Sequence, residues 1–202
     1  MDDDLNPFIA FSDLMLNLAL ILVFFVVATI LIGRAGWEEV RYKDAQKLVR
    51  AAVQRDLPRP LGPSNTTRLD PPGAQRWVFQ NETLFQPGTS TLTEPGRAVL
   101  AKFARIICRS PEWRRIRVEG HTKPIQGQAD EWELSAARAA QVAKVLANIG
   151  RIRPYHLAVA GRAGQAPVDK KRPDNPENER VELLLEFVSN DALPSPCIAA
   201  AK

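Results

Sequence analysis

Residues 113–150, WRRIRVEGHTKPIQGQADEWELSAARAAQVAKVLANIG, decide the fold. The first part alternates apolar and polar residues, which predicts a β-strand over Trp113–Glu119. After a loop, Asp130–Ile149 has helical periodicity. It begins with a capping-box pattern, since Glu133 lies three residues after Asp130, and it ends at Gly150. A strand, a loop and a long helix in this order predict an α/β domain.

Elements of the same kinds flank this stretch on both sides. Strands are predicted over Arg76–Phe85, Tyr155–Ala160 and Arg180–Val188. A helix is predicted over Thr93–Cys108, with Thr93 as its N-cap. The order βαβαββ predicts an α/β sandwich in which the helices pack on one mixed sheet.

An apolar segment runs from Phe8 to Ile32, well before the domain. Its roughly 25 residues would reach about 37 Å as a helix, which is enough to cross a hydrocarbon core of about 30 Å. The chain begins Met-Asp-Asp-Asp and so lacks the basic start of a cleaved signal peptide. We therefore expect a short cytoplasmic tail at 1–7 and an uncleaved transmembrane helix at 8–33.

Two polar residues, Asp13 and Asn17, interrupt this span. They are four residues apart and share one helix face. A carboxylate in hydrocarbon costs roughly 2.5–3.5 kcal/mol on insertion scales, so it usually faces a protein partner or a water-filled path. The alternative is that Asp13 lies at the membrane interface, because it is only about five residues inside the span.

A helical stretch and a spacer join the span to the domain. Trp37–Arg55 has a partial apolar stripe, which predicts a helix that extends the membrane helix, pairs with a second copy or packs on its own domain. Residues 56–73 are rich in proline and predict a semi-rigid spacer. We place the linker at 34–75, the folded domain at 76–190 and a tail at 191–202.

The composition argues against several classes of function, namely nucleic-acid binding, metal binding and catalysis. Residues 1–33 contain no Lys or Arg, so all 27 basic residues lie in the remainder. They are spread thinly, which favours a soluble surface over a nucleic-acid interface. The two cysteines, Cys108 and Cys197, would be able to pair in an oxidising compartment. The sequence has no Cys/His metal pattern, Ser/His/Asp set or phosphate loop, so we expect no metal, no cofactor and no enzymatic activity.

Five pieces of the domain, taken in order, resemble the OmpA/MotB C-terminal peptidoglycan-binding domain. They are LFQPGTSTLTEPGRAVLAKFARII (84–107), RVEGHTKP (117–124), EWELSAARAAQVAKVL (131–146), GRAGQAP (161–167) and NERVELLLEF (178–187). The resemblance implies that residues 76–190 form an OmpA-like sandwich and bind peptidoglycan.

The start of the span carries a second resemblance. Phe11–Met15 (FSDLM) resembles the aromatic–small–Asp–x–Met signature of MotB-type stator subunits. This implies that Asp13 carries protons in a membrane rotary motor, with Asn17 one turn deeper on the same path. It also implies a homodimer inside a pentameric ring of MotA-like multi-span subunits. The short tail favours a Zorya-type anti-phage defence motor over a flagellar stator. A passive tether between the inner membrane and the wall is the main rival.

The resemblance also implies a ligand site. The family binds the diaminopimelate stem peptide, a zwitterion that needs a guanidinium for its carboxylate and an acid for its ammonium group. The family's Leu-Ser-x-x-Arg pattern matches Leu134 to Arg138, which assigns the guanidinium to Arg138. Both residues lie on the predicted helix Asp130–Ile149.

The acid of that site is missing from its usual place. It would follow His-Thr, but in this chain Lys123 follows Thr122, and Glu131 replaces the family's asparagine before the helix. We expect Glu131 or Asp130 to take over the lost carboxylate. The alternative is that the domain binds the wall weakly, or binds a different anionic partner.

Two indicators of membrane orientation disagree. Basic residues follow the span and none precedes it; they are Arg34, Arg41, Lys43, Lys47 and Arg50. Taken alone, this pattern puts the C-terminal domain in the cytoplasm. The family resemblance puts it in the periplasm, as expected for a single-pass protein of the bacterial inner membrane that binds the wall.

Overall fold

A computed structural model describes residues 7–57, 63–64, 70–71, 73–109, 113–123, 130–187 and 195–198. The chain divides into two compact units, Met1–Arg41 and Tyr42–Lys202. The first helix, α1, covers Pro7–Asp56 and contributes to both units.

The first unit contains one stretch of α1 that is long and apolar enough to cross a membrane. This stretch is Phe11–Gly33, with a mean hydropathy of 2.9. Its large apolar side chains are exposed along its length, as Phe24 and Leu31 illustrate. Thr29 donates its hydroxyl hydrogen bond to the carbonyl of Phe25 at 2.9 Å, which satisfies that polar group within the helix.

The second unit is built on a mixed sheet in the order β1-β2-β5-β3-β4. The strands are β1 Pro63–Ser64, β2 Ala74–Gln80, β3 Trp113–His121, β4 Leu157–Gly161 and β5 Arg180–Phe187. The central strand β5 pairs antiparallel with β2 and β3, and β3 pairs parallel with β4. Every residue of β5 is buried.

Helices cover one face of the sheet. They are α2 Asn81–Leu84, α3 Glu94–Cys108 and α4 Asp130–Asn148. Phe103 of α3 makes edge-on ring contacts with Trp77 and Phe79 of β2, at 5.9 and 5.4 Å between centroids. The Thr93 hydroxyl accepts a hydrogen bond from the Gly96 amide at 3.0 Å, so Thr93 is the N-cap of α3 as predicted.

The last turns of α1 belong to the core of the domain. Ala45, Val49, Val53 and Leu57 are buried in the same apolar cluster as Trp77. Their four-residue spacing places them on one helix face. In the structure α1 runs without a break through Trp37–Arg55, so this stretch extends the membrane-type helix, and its last turns pack on the domain.

A disulfide joins Cys108, at the end of α3, to Cys197 in the tail. The tail also lies along residues 151–153, because the Arg153 amide donates to the Pro196 carbonyl at 2.9 Å and the Ile198 amide to the Arg151 carbonyl at 2.8 Å. The disulfide and these two hydrogen bonds hold the tail against the end of α3 and residues 151–153.

The predicted fold class is confirmed: an apolar helix precedes an α/β domain whose longer elements follow the order βαβαββ, to which the structure adds the short β1 and α2. One predicted strand, Arg76–Phe85, was too long, since β2 ends at Gln80. The chain turns there because the Asn81 amide donates to the Glu179 carbonyl at 3.0 Å and its side-chain amide to the His121 carbonyl at 3.3 Å.

Candidate ligand cavity

A cavity of about 550 Å³ opens at the end of the sheet where β2 stops and β5 starts. Its lining combines four charged side chains with one aromatic ring and polar loop residues. These are Asn81, Glu82, Phe85, Gln86, Pro87, Gly88, Thr93, Lys123, Arg138, Pro176 and Glu179. Both signs of charge are present, as a site for a zwitterion requires.

Arg138 is the most buried charged group of this lining, with 2% of the residue exposed. Its Nε donates to the Thr89 carbonyl at 2.9 Å, and Nη1 contacts Glu179 Oε2 at 3.3 Å. The guanidinium carbon lies 5.7 Å from the centre of the Phe85 ring, within cation–π range. Arg138 is therefore a fixed cation rather than a mobile surface arginine.

Close helix–sheet packing sets the position of Arg138. Gly120 of β3 and Gly161 of β4 face α4, and a Cβ on Gly120 would lie 2.0 Å from the Ser135 carbonyl oxygen. The Ser135 hydroxyl accepts from the Ala163 amide at 3.1 Å, which ties α4 to the loop after β4. Arg138 lies three residues further along this anchored helix.

The loop opposite α4 supplies the backbone acceptor for Arg138. Residues 86–91 form a turn in which the Gln86 amide donates to the Thr91 carbonyl at 2.9 Å. Gly88 has a φ of 70°, a left-handed conformation that favours glycine. This turn brings the Thr89 carbonyl to the guanidinium.

Glu179 bridges the two cations of the cavity. Oε1 lies 3.2 Å from the Lys123 ammonium nitrogen, and Oε2 lies 3.3 Å from Arg138 Nη1. Glu179 was not among the predicted site residues. Its sequence signals were its place directly before β5 and within the family-like piece 178–187, and neither points to its partners, which lie 41 or more residues away in the chain.

The remaining predicted residues lie outside the lining. Thr122 is buried and its amide donates to the Ala163 carbonyl at 3.0 Å, so it supports the loop beside the site. Leu134 and Glu131 lie on α4 and are partly buried. Among the described residues, the carboxylates that line the cavity are Glu82 and Glu179.

A second charged cluster lies on the other face of the sheet. Glu119 and Glu182 are direct partners across β3 and β5, where like charges would repel. Arg76 Nη1 contacts both carboxylates, at 3.3 Å for Glu119, and Arg180 pairs with Glu182. These four side chains are almost fully buried, so the ion pairs must compensate for the free energy of hydration that the charges lose on burial.

His121 belongs to this cluster. Its two ring nitrogens are buried without a hydrogen-bond partner among the described residues. Burial, followed by the positive charges of Arg180, Arg76 and Arg162, lowers the pKa of His121 from 6.5 to about 3. His121 is therefore neutral at physiological pH.

Glu119, His121 and Glu182 also meet the spacing for a metal site, with ligand atoms within 4.8 Å of one another. The two carboxylates, however, already pair with Arg76 and Arg180. A divalent cation would have to compete with these guanidinium groups in a buried space, so we interpret the cluster as a structural ion-pair network.

On the membrane-type stretch of α1, Asp13 and Asn17 are both exposed. The helix is continuous through them, so they lie one turn apart on the same face. Ser12 instead directs its hydroxyl to the Phe8 carbonyl at 2.8 Å. Among the described residues, Asp13 and Asn17 are the polar pair left facing outward at this end of the span.

Comparison with known proteins shows which family the residues around the cavity are similar to. Residues 84–181 match the OmpA family model. The chain carries an OmpA-like domain. Lys123, Arg138 and Glu179 all fall within the match, so the cavity is part of the OmpA-like domain itself. The predicted resemblance is thus confirmed at the level of this domain.

A curated relative of the OmpA-like domain is the uncharacterized protein YtxE from Bacillus subtilis (strain 168). It is 29% identical over 115 residues, which cover 54% of this chain and 47% of YtxE. The match therefore spans about half the length of that relative.

Solved structures share the fold of the OmpA-like domain. A putative MotB-like protein from Desulfovibrio vulgaris has a TM-score of 0.63 at 23% identity, covering 74% of this chain and 96% of its own. The periplasmic domain of Helicobacter pylori MotB has a TM-score of 0.50 at 23% identity and covers 58% and 76%. The cell wall anchor of the type VI secretion system from Pseudomonas aeruginosa has 0.54 at 19%, covering 69% and 97%.

Proposed function

We propose that this chain is the B subunit of a proton-driven membrane rotary motor, and that its OmpA-like domain anchors the motor to peptidoglycan. The observation that carries the wall-binding part is the buried guanidinium of Arg138 in a cavity that also presents carboxylates. A fixed guanidinium binds a carboxylate strongly, and a nearby acid receives an ammonium group. The free carboxylate and amine of the diaminopimelate stem peptide match this pair.

The proposed location is the bacterial inner membrane, with the domain in the periplasm. The Cys108–Cys197 disulfide supports this orientation, because disulfides persist in oxidising compartments such as the periplasm. The basic residues after the span argue for the opposite orientation. We give the disulfide and the wall ligand more weight, since both belong outside the cytoplasm.

The motor part of the proposal rests on Asp13 and Asn17. An ionisable residue that faces outward from a membrane helix needs a polar partner or a water-filled path. A homodimer inside a pentameric ring of MotA-like subunits would provide that environment. Asp13 would take up a proton from one side and release it to the other. We favour a Zorya-type defence motor, and a flagellar stator is the alternative.

Wall binding is tested by sedimentation of the full-length chain, in detergent, with purified sacculi. Arg138→Ala should lose most of the bound fraction, whereas Lys144→Ala should retain it, since Lys144 is exposed on the same helix. A wild-type chain that stays in the supernatant would refute the wall-binding function.

The motor is tested by co-purification of tagged protein from its native host. A multi-span partner in stoichiometric excess is expected, and Asp13→Asn should keep that complex but abolish proton flux. Thr29→Val is the matched control, because it removes another polar group from the same span. Recovery of wall fragments without a membrane partner would instead favour the passive tether.

A further inference from the structure

We infer that Glu179 is the carboxylate that accepts the ligand's ammonium group, and that Lys123 occupies this position while the cavity is empty. The inference rests on the proposed wall-binding function and deepens it. Lys123 lies where the family resemblance expects an acid. The structure supplies a carboxylate in the same cavity from a different element, the start of β5.

The backbone around Glu179 is held from several sides. Its amide donates to the Pro176 carbonyl at 3.0 Å, and its carbonyl accepts from the Asn81 amide at 3.0 Å. The neighbouring Asn178 is fully buried, and its side-chain amide donates to the Arg172 carbonyl at 3.0 Å. The Glu179 carboxylate therefore projects from a fixed point at the rim of the cavity.

Other acids are less suited to this role. Glu131 and Asp130, at the start of α4, do not line the cavity. Glu82 does line it but is exposed, so water screens its charge. The Glu179 side chain is only 28% exposed and lies beside Arg138, where one zwitterionic ligand would meet both groups.

Lys123 has the chemistry of the group that it would mimic. Its ammonium nitrogen lies 3.2 Å from Glu179 Oε1, and its side chain is 35% exposed on a flexible stem. An incoming ammonium group would replace it on Glu179. The displaced Lys123 ammonium group would turn out to solvent, because its side chain is already partly exposed.

The test compares untreated sacculi with sacculi whose free amines have been acetylated, using the full-length chain in detergent. Wild type should bind acetylated sacculi roughly ten- to hundredfold more weakly, the loss typical of one hydrogen bond between charged groups. Glu179→Gln should show a similar loss on untreated sacculi and no further loss on acetylation. Glu177→Gln, an exposed acid two residues away, should behave like wild type.

The outcomes separate this inference from the proposed function. If Arg138→Ala loses binding while Glu179→Gln binds like wild type, or stays equally sensitive to acetylation, the role of Glu179 is refuted and wall binding stands. If wild type does not sediment at all, both fail together.

Lys123→Met provides a second test that leaves Glu179 in place. Removing the internal competitor should keep or raise affinity for untreated sacculi and preserve the sensitivity to acetylation. If Lys123→Met instead binds untreated sacculi tenfold or more weakly than wild type, Lys123 contributes to ligand binding and its role as a competitor is refuted. Glu179→Asp keeps the charge and covers the case in which Glu179→Gln folds poorly.

Discussion

Buried ionisable side chains hold the second face of the sheet together, and His121 lies among them in its neutral form. Protonating it would add a positive charge beside Arg76, Arg180 and Arg162, in a place that water barely reaches. The Glu182 carboxylate, 3.7 Å from Nε2, offsets this little because it already pairs with Arg76 and Arg180. The stability of the folded domain should therefore depend on pH through His121.

We predict that the free energy of unfolding falls as the pH is lowered from 6.5 towards 3. Between these values the unfolded chain binds a proton at this histidine and the folded domain does not, because the pKa of His121 is about 3 when folded. The loss between pH 6.5 and 5 should be roughly 1.5 kcal/mol. Urea denaturation, followed by tryptophan fluorescence, should show this slope in wild type and a flatter one in His121→Gln. Equal slopes would refute it.

Single residues were predictable where their signal was local. Thr93 was identified as an N-cap from its immediate neighbours, and Arg138 was implied by the resemblance of Leu134–Arg138 to the family's Leu-Ser-x-x-Arg pattern. Glu179 was missed because its role depends on contacts with Lys123 and Arg138, which only the folded sheet brings together. The expected substitutes, Glu131 or Asp130, are close to Arg138 in sequence but do not line the cavity.

At the scale of elements, the end of α1 acts as part of the domain. Val49 is fully buried, whereas its neighbour Leu48 is 61% exposed. The two residues therefore offer a matched comparison on one helix.

Val49→Ala should lower the free energy of unfolding by about 2 kcal/mol, because it leaves a cavity in the core. Leu48→Ala removes more atoms but should change stability by less than about 0.5 kcal/mol, since these atoms already contact solvent. Urea denaturation of both variants in detergent measures the difference. A larger effect for Leu48→Ala would indicate that its face of the helix is covered by a partner.

The periodicity of the sequence predicted the order of the helices and strands. It did not predict where every strand ends or which segments pack against each other. The long helices Glu94–Cys108 and Asp130–Asn148 begin and end within a residue or so of their predicted limits, and the Thr93 cap marks the start of the first. The strand predicted to Phe85 stops at Gln80, where hydrogen bonds from distant segments take over. The partial apolar stripe predicted over Trp37–Arg55 indicates a helix with one covered face. Only the structure shows which residues are covered, those of the face from Ala45 to Leu57, and that they pack on this domain.

Across the whole molecule, the Cys108–Cys197 disulfide closes a loop with a sequence separation of 89 residues. Such a loop restricts the unfolded chain, so the bond should contribute about 2–4 kcal/mol to stability. The double variant Cys108→Ser/Cys197→Ser should lose this amount. Dithiothreitol should destabilise wild type to the same extent and leave the double variant unchanged. An unaltered melting temperature for reduced wild type would contradict the prediction.

The pairing of β2 with β5 also determines how the domain resists mechanical unfolding. The linker enters at Ala74, opposite Glu186, while the cavity lies at the other end of the ladder, where Gln80 pairs with Arg180. Once the packed end of α1 has detached, tension between the linker and a ligand held at Glu179 would run along both strands in opposite directions. The hydrogen bonds lie across that direction, so they are loaded in shear and must fail together rather than one after another.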